Sequence, residues 1–521
     1  MNNNQTGKRS QPGEPMSDQV QIELRPMGRR VQVERGTPLP DVLFSLGVEF
    51  PCGGQGRCRG CRVRVLAGDL PLNEAQRKRL GPAEIAAGWR LACQGRAEQD
   101  LVLELAQWDA AILADDTVFE FTPREGWGIA VDVGTTTLVA QLVDLRDGRV
   151  SGVQTALNAQ AQHGADIMSR VEFAFADRGG LLTRLIRDQI GGMISELLAG
   201  KPEAQSGLHQ IILAGNTVMH HLFGGVDVEP LSHYPFAPVN DGMQVFTAGD
   251  LGWPAAGSPT VWFLPCLGGF VGSDILAGVL ATRLHESAGL VSLIDLGTNG
   301  EIVIGNRDRI LCASTAAGPA FEGARITMGM RAATGAIAEV GLEQGRLRCR
   351  VLGSGAPRGI CGSGLVDAVA AGLELGWIQP NGRLANGAKS LSIMPPVILT
   401  QPDVRELQLA KGAIAAGIRV LLAQWGASLA EVERVYLAGA FGNYINRGSA
   451  ARIGLLGFAP ERIVPAGNTA LLGAKLTLFD PGVDGGDFAP WRRRIGHVCL
   501  SADPAFQDIY ADEMRFPDRA N

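Results

Sequence analysis

Four cysteines near the N-terminus are the residues best suited to chemistry in this chain of 521 residues. Cys52, Cys58 and Cys61 lie in one glycine-rich loop, and Cys93 follows 32 positions after the third of them. Four thiolates can hold a [2Fe–2S] cluster when one tight loop supplies three ligands and a distant residue supplies the fourth. Glycines adopt positive φ at little cost and let backbone N–H groups approach the cluster sulfurs. The pattern predicts that these four cysteines are the metal ligands of a one-electron centre.

A Cys₄ zinc site is the alternative interpretation, because the spacing of Cys58 and Cys61 also occurs in zinc sites. Zinc sites usually draw on two Cys-x-x-Cys pairs, whereas Cys93 has no cysteine close to it in sequence. This difference favours iron and sulfide over zinc. Cysteines further along the chain have apolar or glycine-rich neighbours, and we expect them to be buried small residues without a redox role. They include Cys266, Cys312 and Cys361.

Two aspartates, Asp132 and Asp295, stand in similar surroundings 163 positions apart. Each lies at the end of an apolar strand, precedes a turn rich in glycine and threonine, and is followed by a second strand. Such turns offer backbone N–H groups and hydroxyls to phosphate oxygens, and a carboxylate beside them can hold Mg²⁺ through water and orient an attacking water. Two such units predict a duplicated α/β domain that binds ATP in a cleft between its halves. The predicted phosphate-binding residues are Gly134, Thr135, Thr136, Thr137, Gly297, Thr298 and Asn299.

Two later segments fit the same cleft. An apolar strand runs into Gly439, Ala440, Phe441 and Gly442, a small-residue turn that a flat adenosine could approach. A helix of small residues begins at Asn468 and could pack closely at a hinge. Other polar residues have simpler interpretations: Asp274 as a helix cap that could also serve the attacking water, and His220 and His221 as structural histidines.

Hydrophobic periodicity divides the chain into segments. Residues 1–18 are polar and predict a disordered tail; residues 19–36 predict a hairpin, 40–46 a short helix, and 62–66 and 101–105 strands. Together residues 19–106 suit a β-grasp ferredoxin, residues 107–126 a linker, and residues 127–521 the ATPase, with its second lobe beginning near residue 290.

Composition excludes several classes of protein. A net charge of −6 argues against nucleic acid as a partner, and no apolar run reaches the roughly 18 residues that span a bilayer. Nine cysteines, an odd number, do not form the pattern of a disulfide framework. We therefore expect a cytoplasmic protein with no membrane association.

The motifs resemble those of known families. The cysteine spacing is similar to that of the adrenodoxin and putidaredoxin branch of ferredoxins, with five residues between the first two ligands. Residues 132–137, 295–300 and 439–442 resemble the two phosphate motifs and the adenosine motif of the actin, sugar kinase and Hsp70 ATPase superfamily, and the helix from Asn468 resembles its second connecting helix. This resemblance implies an α+β β-grasp [2Fe–2S] ferredoxin domain followed by a duplicated, ribonuclease H-like α/β ATPase domain.

A ferredoxin fused to such an ATPase is the layout of the reductive activators of corrinoid proteins, and the chain resembles that family from residue 20 to residue 516. The stretches that carry the likeness are Asn158 with residues 163–170, and residues 213–220, 269–274, 316–323 and 359–364. Some members carry an extra middle domain between ferredoxin and ATPase, where only about twenty residues are present here.

The resemblance implies ATP-dependent one-electron reduction of an inactive Co(II) corrinoid protein of a methyltransferase system to Co(I). It implies a [2Fe–2S] cluster, ATP and Mg²⁺ as cofactors and an external electron donor, either a reductase or a ferredoxin or flavodoxin; the sequence is also compatible with a homodimer. Two alternatives stay open. One is an electron-transfer or redox-sensing module whose ATPase fold binds nucleotide without hydrolysing it, and the other is a small-molecule kinase.

Overall fold

The structure is a computed structural model that describes residues 19–25, 29–43, 48, 56, 61–105, 119–164, 166–177, 180–253, 258–297, 299–353, 355–480 and 490–518. The predicted tail over residues 1–18 lies outside these residues, and so do Cys52, Cys58, Thr298 and residues 107–118 of the predicted linker. Among the described residues, no helix combines the length and the apolar character needed to cross a bilayer.

The first part of the chain forms a mixed five-stranded sheet in the order β2-β1-β7-β4-β5, as far as the described residues extend. Alternating residues of the first strand, among them Val20, Ile22 and Leu24, are buried, which is the period-two pattern of a half-buried strand. The first strand pairs antiparallel with the second and parallel with the seventh, so the predicted β-grasp arrangement is confirmed. The elements are β1 (Gln19–Arg25), β2 (Arg29–Glu34), β3 (Thr37–Pro38), α1 (Leu39–Leu43), β4 (Arg62–Ala67), α2 (Glu74–Arg79), α3 (Pro82–Ala86), β5 (Trp89–Leu91), β6 (Arg96–Ala97) and β7 (Leu101–Leu105).

The first lobe of the ATPase is built on a sheet in the order β10-β9-β8-β11-β13-β12. Its central strands β8 and β11 are mostly apolar and buried because packing covers both faces of the sheet. Its elements are β8 (Trp127–Val133), β9 (Thr137–Asp144), β10 (Val150–Leu157), α4 (Ile167–Ala176), α5 (Leu181–Leu198), α6 (Pro202–Gly207), β11 (Leu208–Gly215), α7 (Thr217–Gly224), β12 (Gln244–Thr247), β13 (Thr260–Phe263) and α8 (Ser273–Ala281).

The second lobe follows, with its main sheet in the order β23-β22-β14-β15-β16-β24. Its elements are β14 (Val291–Leu296), β15 (Gly300–Gly305), β16 (Ile310–Thr315), β17 (Ala336–Glu343), β18 (Arg346–Val351), β19 (Gly359–Ile360), α9 (Gly362–Glu374), β20 (Ser390–Met394), β21 (Val397–Thr400), α10 (Gln401–Trp425), β22 (Arg434–Ala438), α11 (Gly439–Tyr444), α12 (Arg447–Arg452), β23 (Ile463–Gly467), α13 (Thr469–Thr477), β24 (Ile495–His497) and α14 (Phe506–Glu513).

The two sheets repeat one topology. In the first lobe β8 pairs antiparallel with β9 and parallel with β11, and β9 pairs antiparallel with β10. In the second lobe β14 pairs antiparallel with β15 and parallel with β22, and β15 pairs antiparallel with β16. Asp132 and Asp295 occupy equivalent places, since their parallel neighbours are Ala214 and Ala438. The duplication predicted from the sequence is confirmed.

Two helices, α8 and α13, cross where the lobes meet. A Cβ at Gly473 would lie 2.1 Å from the carbonyl oxygen of Ala277, so the helices approach backbone to backbone. Helix α13 packs in one hydrophobic core with residues of the first-lobe sheet through Leu471, Ala474 and, just after its end, Leu478. The helix that begins after Asn468 therefore returns from the second lobe to the first, as its resemblance to a connecting helix implied.

The ferredoxin rests on both lobes. Leu157, Ala159 and Ala161, from the first lobe, pack against the ferredoxin core. Arg358, from the second lobe, donates to the carbonyl oxygen of Leu105 at 2.6 Å and to Oε1 of Glu104 at 3.3 Å.

The last residues of the predicted linker pack against the ATPase. The rings of Phe119 and Phe121 contact the ring of Phe479 with centroids 5.6 and 4.5 Å apart, and Arg124 donates to the carbonyl oxygen of Leu478 at 3.0 Å. This part of the segment is thus attached to the first lobe, close to the end of α13.

Candidate functional site

Two of the four predicted cluster ligands lie in the described part of the ferredoxin. Cys61 is buried just before β4, and Cys93 is half-buried in a short 3₁₀ turn after β5. The backbone N–H of Ala92 donates to the carbonyl oxygen of Cys61 at 2.9 Å, which places the two cysteines on neighbouring chain segments. Gly56, at the centre of the cysteine loop, adopts a φ of +66° and lies against Gln94. Gly56 and Cys61 thus lie near the segment that carries Cys93, as expected if both segments supply ligands to one cluster.

The first predicted phosphate loop is the turn between β8 and β9. A Cβ at Gly134 would lie 2.4 Å from the carbonyl oxygen of Thr137, so only glycine fits this tight turn. Asp132 comes one residue before the end of β8, and Nδ2 of Asn468 donates to its Oδ2 at 2.8 Å. Asn468 opens α13, so this hydrogen bond ties the hinge helix to the first loop.

Side chains behind the first phosphate loop hold its backbone in place. Nδ2 of Asn158 donates to the carbonyl oxygen of Gly134 at 2.9 Å, and Nδ2 of Asn216 donates to Oγ1 of Thr135 at 2.8 Å. The guanidinium of Arg170 donates to the carbonyl oxygen of Thr135. All three side chains come from stretches that carried the family likeness, and each is almost fully buried. Their shared role is to fix the loop, which the sequence alone did not assign.

Arg170 is unusual because its guanidinium is completely buried. It also donates to the carbonyl oxygen of Gly164 at 2.8 Å and to Oε1 of Gln160 at 3.2 Å. Burial lowers the pKa of Arg170 to about 9, since the charged form has lost its hydration. A positive charge at this depth, behind a loop predicted to bind phosphate, favours an anion in front of it.

The second predicted phosphate loop follows β14. Asp295 is half-buried and comes one residue before the end of that strand. The N–H of Gly297 donates to the carbonyl oxygen of Asn299 at 3.1 Å. Thr298 lies outside the described residues. Gly439 adopts a φ of +83°, and a Cβ there would lie 2.5 Å from Oδ1 of Asp295. The structure therefore brings the predicted adenosine segment into contact with the second aspartate.

Four carboxyl groups influence one another across the cleft. Burial raises the pKa of Asp132 to about 6 against the opposing hydrogen bond from Asn468. Burial and the charge of Asp132 raise the pKa of Asp295 to about 7. Burial and the charges of Asp295 and Asp132 raise the pKa of Asp274 to about 8. Burial, Asp274 and Asp295 raise the pKa of Glu301 well above its ordinary value.

This crowding of negative charge is what a cation would relieve. Within the described residues, no three carboxylate, histidine or cysteine side chains converge as an all-protein metal site. In nucleotide sites Mg²⁺ is bound by one or two carboxylates together with phosphate oxygens and water.

Glu301 is a residue that sequence reasoning missed. It pairs directly with Asp295 across β14 and β15, so both side chains stand on the same face of the sheet. The equivalent partner of Asp132 in the first lobe is Val139. The available signal was a lone glutamate in the otherwise apolar and buried strand of residues 300–305. Its position beside Asp295 becomes visible only once the strand register is known.

Asp274 is not the helix cap that the sequence suggested. Gly272 occupies the N-cap position of α8, and Asp274 lies inside the first turn. Gly272 fits against the end of β11, where a Cβ would lie 2.3 Å from the carbonyl oxygen of Gly215. The close packing of glycine on backbone directs the first turn of α8 toward the cleft, among the carboxylates.

The predicted adenosine segment forms the start of α11. Phe441 stacks on Phe321, with ring centroids 4.5 Å apart and planes 20° from parallel. A Cβ at Gly362 would lie 2.0 Å from the carbonyl oxygen of Phe321 and 3.0 Å from the Phe441 ring. Gly442 is buried in the same helix, which also contains Ala440. Three family-like stretches of the second lobe thus meet beside Gly439.

The two histidines have structural roles, as expected. His221 and His220 are fully buried; Nδ1 of His221 lies 2.8 Å from the carbonyl oxygen of Thr217, and Nε2 of His220 lies 3.0 Å from that of Gly242. Burial lowers the pKa of both imidazoles. The remaining cysteines singled out above, Cys266, Cys312 and Cys361, are buried as predicted.

Family models match three consecutive parts of the chain. A 2Fe-2S iron-sulfur cluster binding domain matches residues 22–98, the RACo middle region matches residues 127–287, and the C-terminal domain of RACo, the ASKHA domain, matches residues 290–521. The segment called the middle region in these models therefore corresponds to the first lobe of the duplicated fold.

Individual relatives cover most of the chain. The corrinoid activation enzyme RamQ of Eubacterium limosum is 34% identical over 444 residues, which are 78% of this chain and 74% of that protein. The [Co(II) methylated amine-specific corrinoid protein] reductase of Methanosarcina barkeri is 27% identical over 425 residues, 75% of this chain and 77% of that one. A solved structure, the reductive activator for corrinoid,iron-sulfur protein, superposes with a TM-score of 0.67 at 26% identity and covers 96% of this chain and 98% of its own.

Proposed function

The chain belongs to the family of reductive activators of corrinoid proteins, and on that premise we propose that it reduces the inactive Co(II) form of a corrinoid protein to Co(I) at the expense of ATP. The observation that carries this proposal is a ferredoxin in contact with both lobes of a duplicated ATPase cleft. A ferredoxin alone has no need of ATP, and a kinase has no need of a one-electron carrier.

The four cysteines Cys52, Cys58, Cys61 and Cys93 hold the [2Fe–2S] cluster in this proposal. When bound, such a cluster accepts and releases one electron at a time. The protein contributes the buried setting of Cys61. Burial of this kind affects a cluster's potential, as do hydrogen bonds to its sulfurs.

The nucleotide site works through the residues that the two loops contribute. Backbone N–H groups and hydroxyls of residues 134–137 and 297–299 bind phosphate oxygens, and Asp132 and Asp295 hold Mg²⁺ together with phosphate and water. Asp274, in the first turn of α8, accepts a proton from the attacking water once a bound cation has lowered its pKa from the value of about 8 that burial and the neighbouring carboxylates give it. Residues 439–442 receive the adenosine.

ATP is needed because electron transfer to Co(II) is uphill for an ordinary donor. Each 100 mV of unfavourable potential costs about 2.3 kcal/mol per electron. A cleft that changes shape with its nucleotide can change how tightly the chain binds the corrinoid protein. If the chain binds the Co(I) form more tightly than the Co(II) form, that difference in binding free energy favours reduction.

The test follows Co(I) formation directly. A chain with a chemically reduced cluster is mixed with a Co(II) corrinoid protein, with and without Mg-ATP, across a range of donor potentials. We expect Co(I) absorbance to accumulate substantially only with Mg-ATP. Equal yields in both conditions would leave an electron-transfer module that binds nucleotide without using it.

Two variants test whether the predicted nucleotide site is responsible for this activation. We expect Asp132→Ala and Asp295→Ala each to lower ATP-dependent activation by at least about 100-fold, since each removes a ligand of Mg²⁺ or of the attacking water. Their visible cluster spectrum and one-electron reduction should match the wild type. Wild-type ATP hydrolysis by both variants would contradict the assignment of the phosphate loops.

Three further features belong to the same proposal. An external reductase, ferredoxin or flavodoxin supplies the electron, the chain acts in the cytoplasm, and its sequence is compatible with a homodimer. Sedimentation of the purified chain tests the last of these, and reduction of the cluster by candidate donors tests the first. The domain boundaries proposed are residues 19–106 for the ferredoxin, 107–126 for the linker and 127–521 for the ATPase.

A further inference from the structure

Helix α4 of the first lobe has two faces with different surroundings. Its inner face carries Arg170, whose guanidinium is completely buried and donates to the carbonyl oxygen of Thr135 in the first phosphate loop. Its outer face carries Met168, Glu172 and Phe175, which are spaced four and three residues apart and so lie on one stripe of the helix. A single rigid element therefore links the nucleotide site to the surface.

The outer face of α4 exposes much apolar surface. Phe175 is 69% exposed, more than any other large apolar side chain among the described residues, and Met168 is 42% exposed. Phe175 has the large, two-torsion aromatic side chain that commonly anchors protein interfaces. Exposed apolar residues that stand singly need no explanation, but two on one stripe beside a groove indicate an interaction surface.

A groove of about 500 Å³ runs between α4 and the 3₁₀ turn Glu229–Ser232. Its charged lining residues are Asp166, Glu172 and Glu229, and no lysine or arginine lines it among the described residues. The imidazole Nδ1 of His233 lies 3.8 Å from Oε1 of Glu229. The groove, hereafter the α4 groove, thus combines apolar anchors with negative charge.

We propose that the α4 groove is the docking surface for the corrinoid protein, which places there a segment where lysine or arginine side chains alternate with apolar ones. This inference rests on the function proposed above and adds to it the place and the chemistry of partner binding. Charge complementarity selects the basic segment, because acidic groups beside an apolar anchor favour cations and penalise like charge. Docking on α4 would also act on the first phosphate loop through Arg170, so partner and nucleotide would affect each other's affinity reciprocally.

Two variants test the surface without touching the nucleotide site. Phe175→Ser removes the apolar anchor, and the double variant Glu172→Gln with Glu229→Gln removes two charges. A control on the second lobe, Leu342→Ser with Glu343→Gln, makes the same kinds of change at residues that are also exposed. Circular dichroism and basal ATP turnover should be unchanged in all three proteins, because none of these side chains contacts the phosphate loops.

The measurement is the affinity for the purified Co(II) corrinoid protein that the wild-type chain activates, at low and high salt. We expect Phe175→Ser to bind about 30-fold more weakly, which is the usual effect of losing an interface anchor. The double variant should lose affinity at low salt and show a weaker dependence on salt. Neither should show the wild-type change of ATP turnover when the partner is added, and the control should behave as wild type.

Other results would overturn this proposal in distinguishable ways. Wild-type binding and activation by Phe175→Ser and the double variant would reject the α4 groove while leaving the proposed function intact. A change from dimer to monomer in Phe175→Ser, seen by sedimentation with partner binding preserved, would identify the groove as a contact between two copies of the chain. If the wild-type chain neither binds nor reduces any Co(II) corrinoid protein, the proposed function fails and the docking surface fails with it.

Discussion

Asn216 combines two roles that one substitution can separate. Its Oδ1 accepts from the N–H of Met219 at 3.0 Å as the N-cap of α7, and its Nδ2 donates to Oγ1 of Thr135 at 2.8 Å. Asn216→Asp keeps the capping acceptor and replaces the donor by a second carboxylate oxygen beside a loop that binds phosphate. We expect the KM for ATP to rise by about 10-fold in a steady-state assay, the value of roughly one hydrogen bond.

The matched control for this variant is Asn446→Asp. Asn446 caps α12 in the same way, by accepting from the N–H of Ser449 at 3.0 Å, but it is exposed and does not contact either phosphate loop. Its substitution should leave KM unchanged. Similar effects of the two substitutions would mean that Asn216 acts as a cap alone.

The raised pKa values of the cleft carboxyl groups make a prediction about pH. Asp132, Asp295 and Asp274 have pKa values of about 6, 7 and 8, so the folded chain without nucleotide keeps protons that the unfolded chain has released. Its free energy of unfolding should therefore fall as pH rises from about 4 to about 8. Glu301→Gln removes one repelling charge and should make that fall shallower in denaturant unfolding without Mg²⁺. Glu343→Gln, at an exposed position, should follow the wild type.

The affinity for Mg-ATP should have the opposite dependence on pH, because the protein carboxyl groups that hold the cation must lose their protons to bind it. We expect this affinity, measured by calorimetry, to be greater at pH 8 than at pH 6. An affinity that does not change between these pH values would mean that the cleft carboxyl groups do not bind the cation.

The candidate site was predictable from the sequence as far as its chemistry lies in contiguous motifs. Asp132, Asp295 and the two glycine-rich turns could be named because each motif is short and the pattern occurs twice. Glu301 could not, because its place is set by pairing with Asp295 across two strands. The role of Arg170 was likewise hidden, since its partner Thr135 lies 35 positions away on another element.

At the scale of elements, the crossing of α8 and α13 should tolerate almost no added volume. A Cβ at Gly473 would lie 2.1 Å from the carbonyl oxygen of Ala277. Gly473→Ala must therefore separate two helices at the junction of the lobes, and we expect it to lower the free energy of unfolding by about 1–3 kcal/mol and to slow ATP turnover. Denaturant titration and a steady-state assay measure the two effects.

Gly192 in α5 gives the contrasting result. A Cβ there would meet no atom within 4 Å, so Gly192→Ala should raise the free energy of unfolding by about 0.5–1 kcal/mol through helix propensity alone. If both substitutions stabilise the chain, the two connecting helices are not packed as tightly as their backbones indicate.

Elements were predictable where hydrophobic periodicity or repetition marked them. The hairpin of β1 and β2, the strand β7 and the duplicated strands β8 and β14 follow directly from such patterns. The pairing of β24, from the C-terminal region, with β16 was not predictable, because a three-residue strand carries almost no periodic signal. Short strands are placed by tertiary contacts and not by propensity.

At the scale of the whole molecule, the ferredoxin and the two lobes have separate hydrophobic cores. Cys61→Ser should therefore abolish or destabilise the cluster while leaving ATP binding largely intact. Iron and sulfide analysis with nucleotide titration measures both, and we expect close to two irons and two sulfides in the wild type. Cys499→Ser, at a half-buried cysteine of the second lobe, should keep the full iron content. Stoichiometric zinc without sulfide in anaerobically prepared wild type would contradict the cluster assignment.

The contacts of the ferredoxin with both lobes have a mechanical consequence. A rigid body that touches two others can keep both contacts at only one angle between them, and here the contacts are Leu157 and Ala159 on one side and Arg358 on the other. If nucleotide binding rotates the lobes about α8 and α13, the ferredoxin must stay with one lobe and leave the other. The direction in which the half-buried Cys93 faces would then depend on the angle between the lobes. The nucleotide would thus set the orientation of the electron carrier relative to the ATPase.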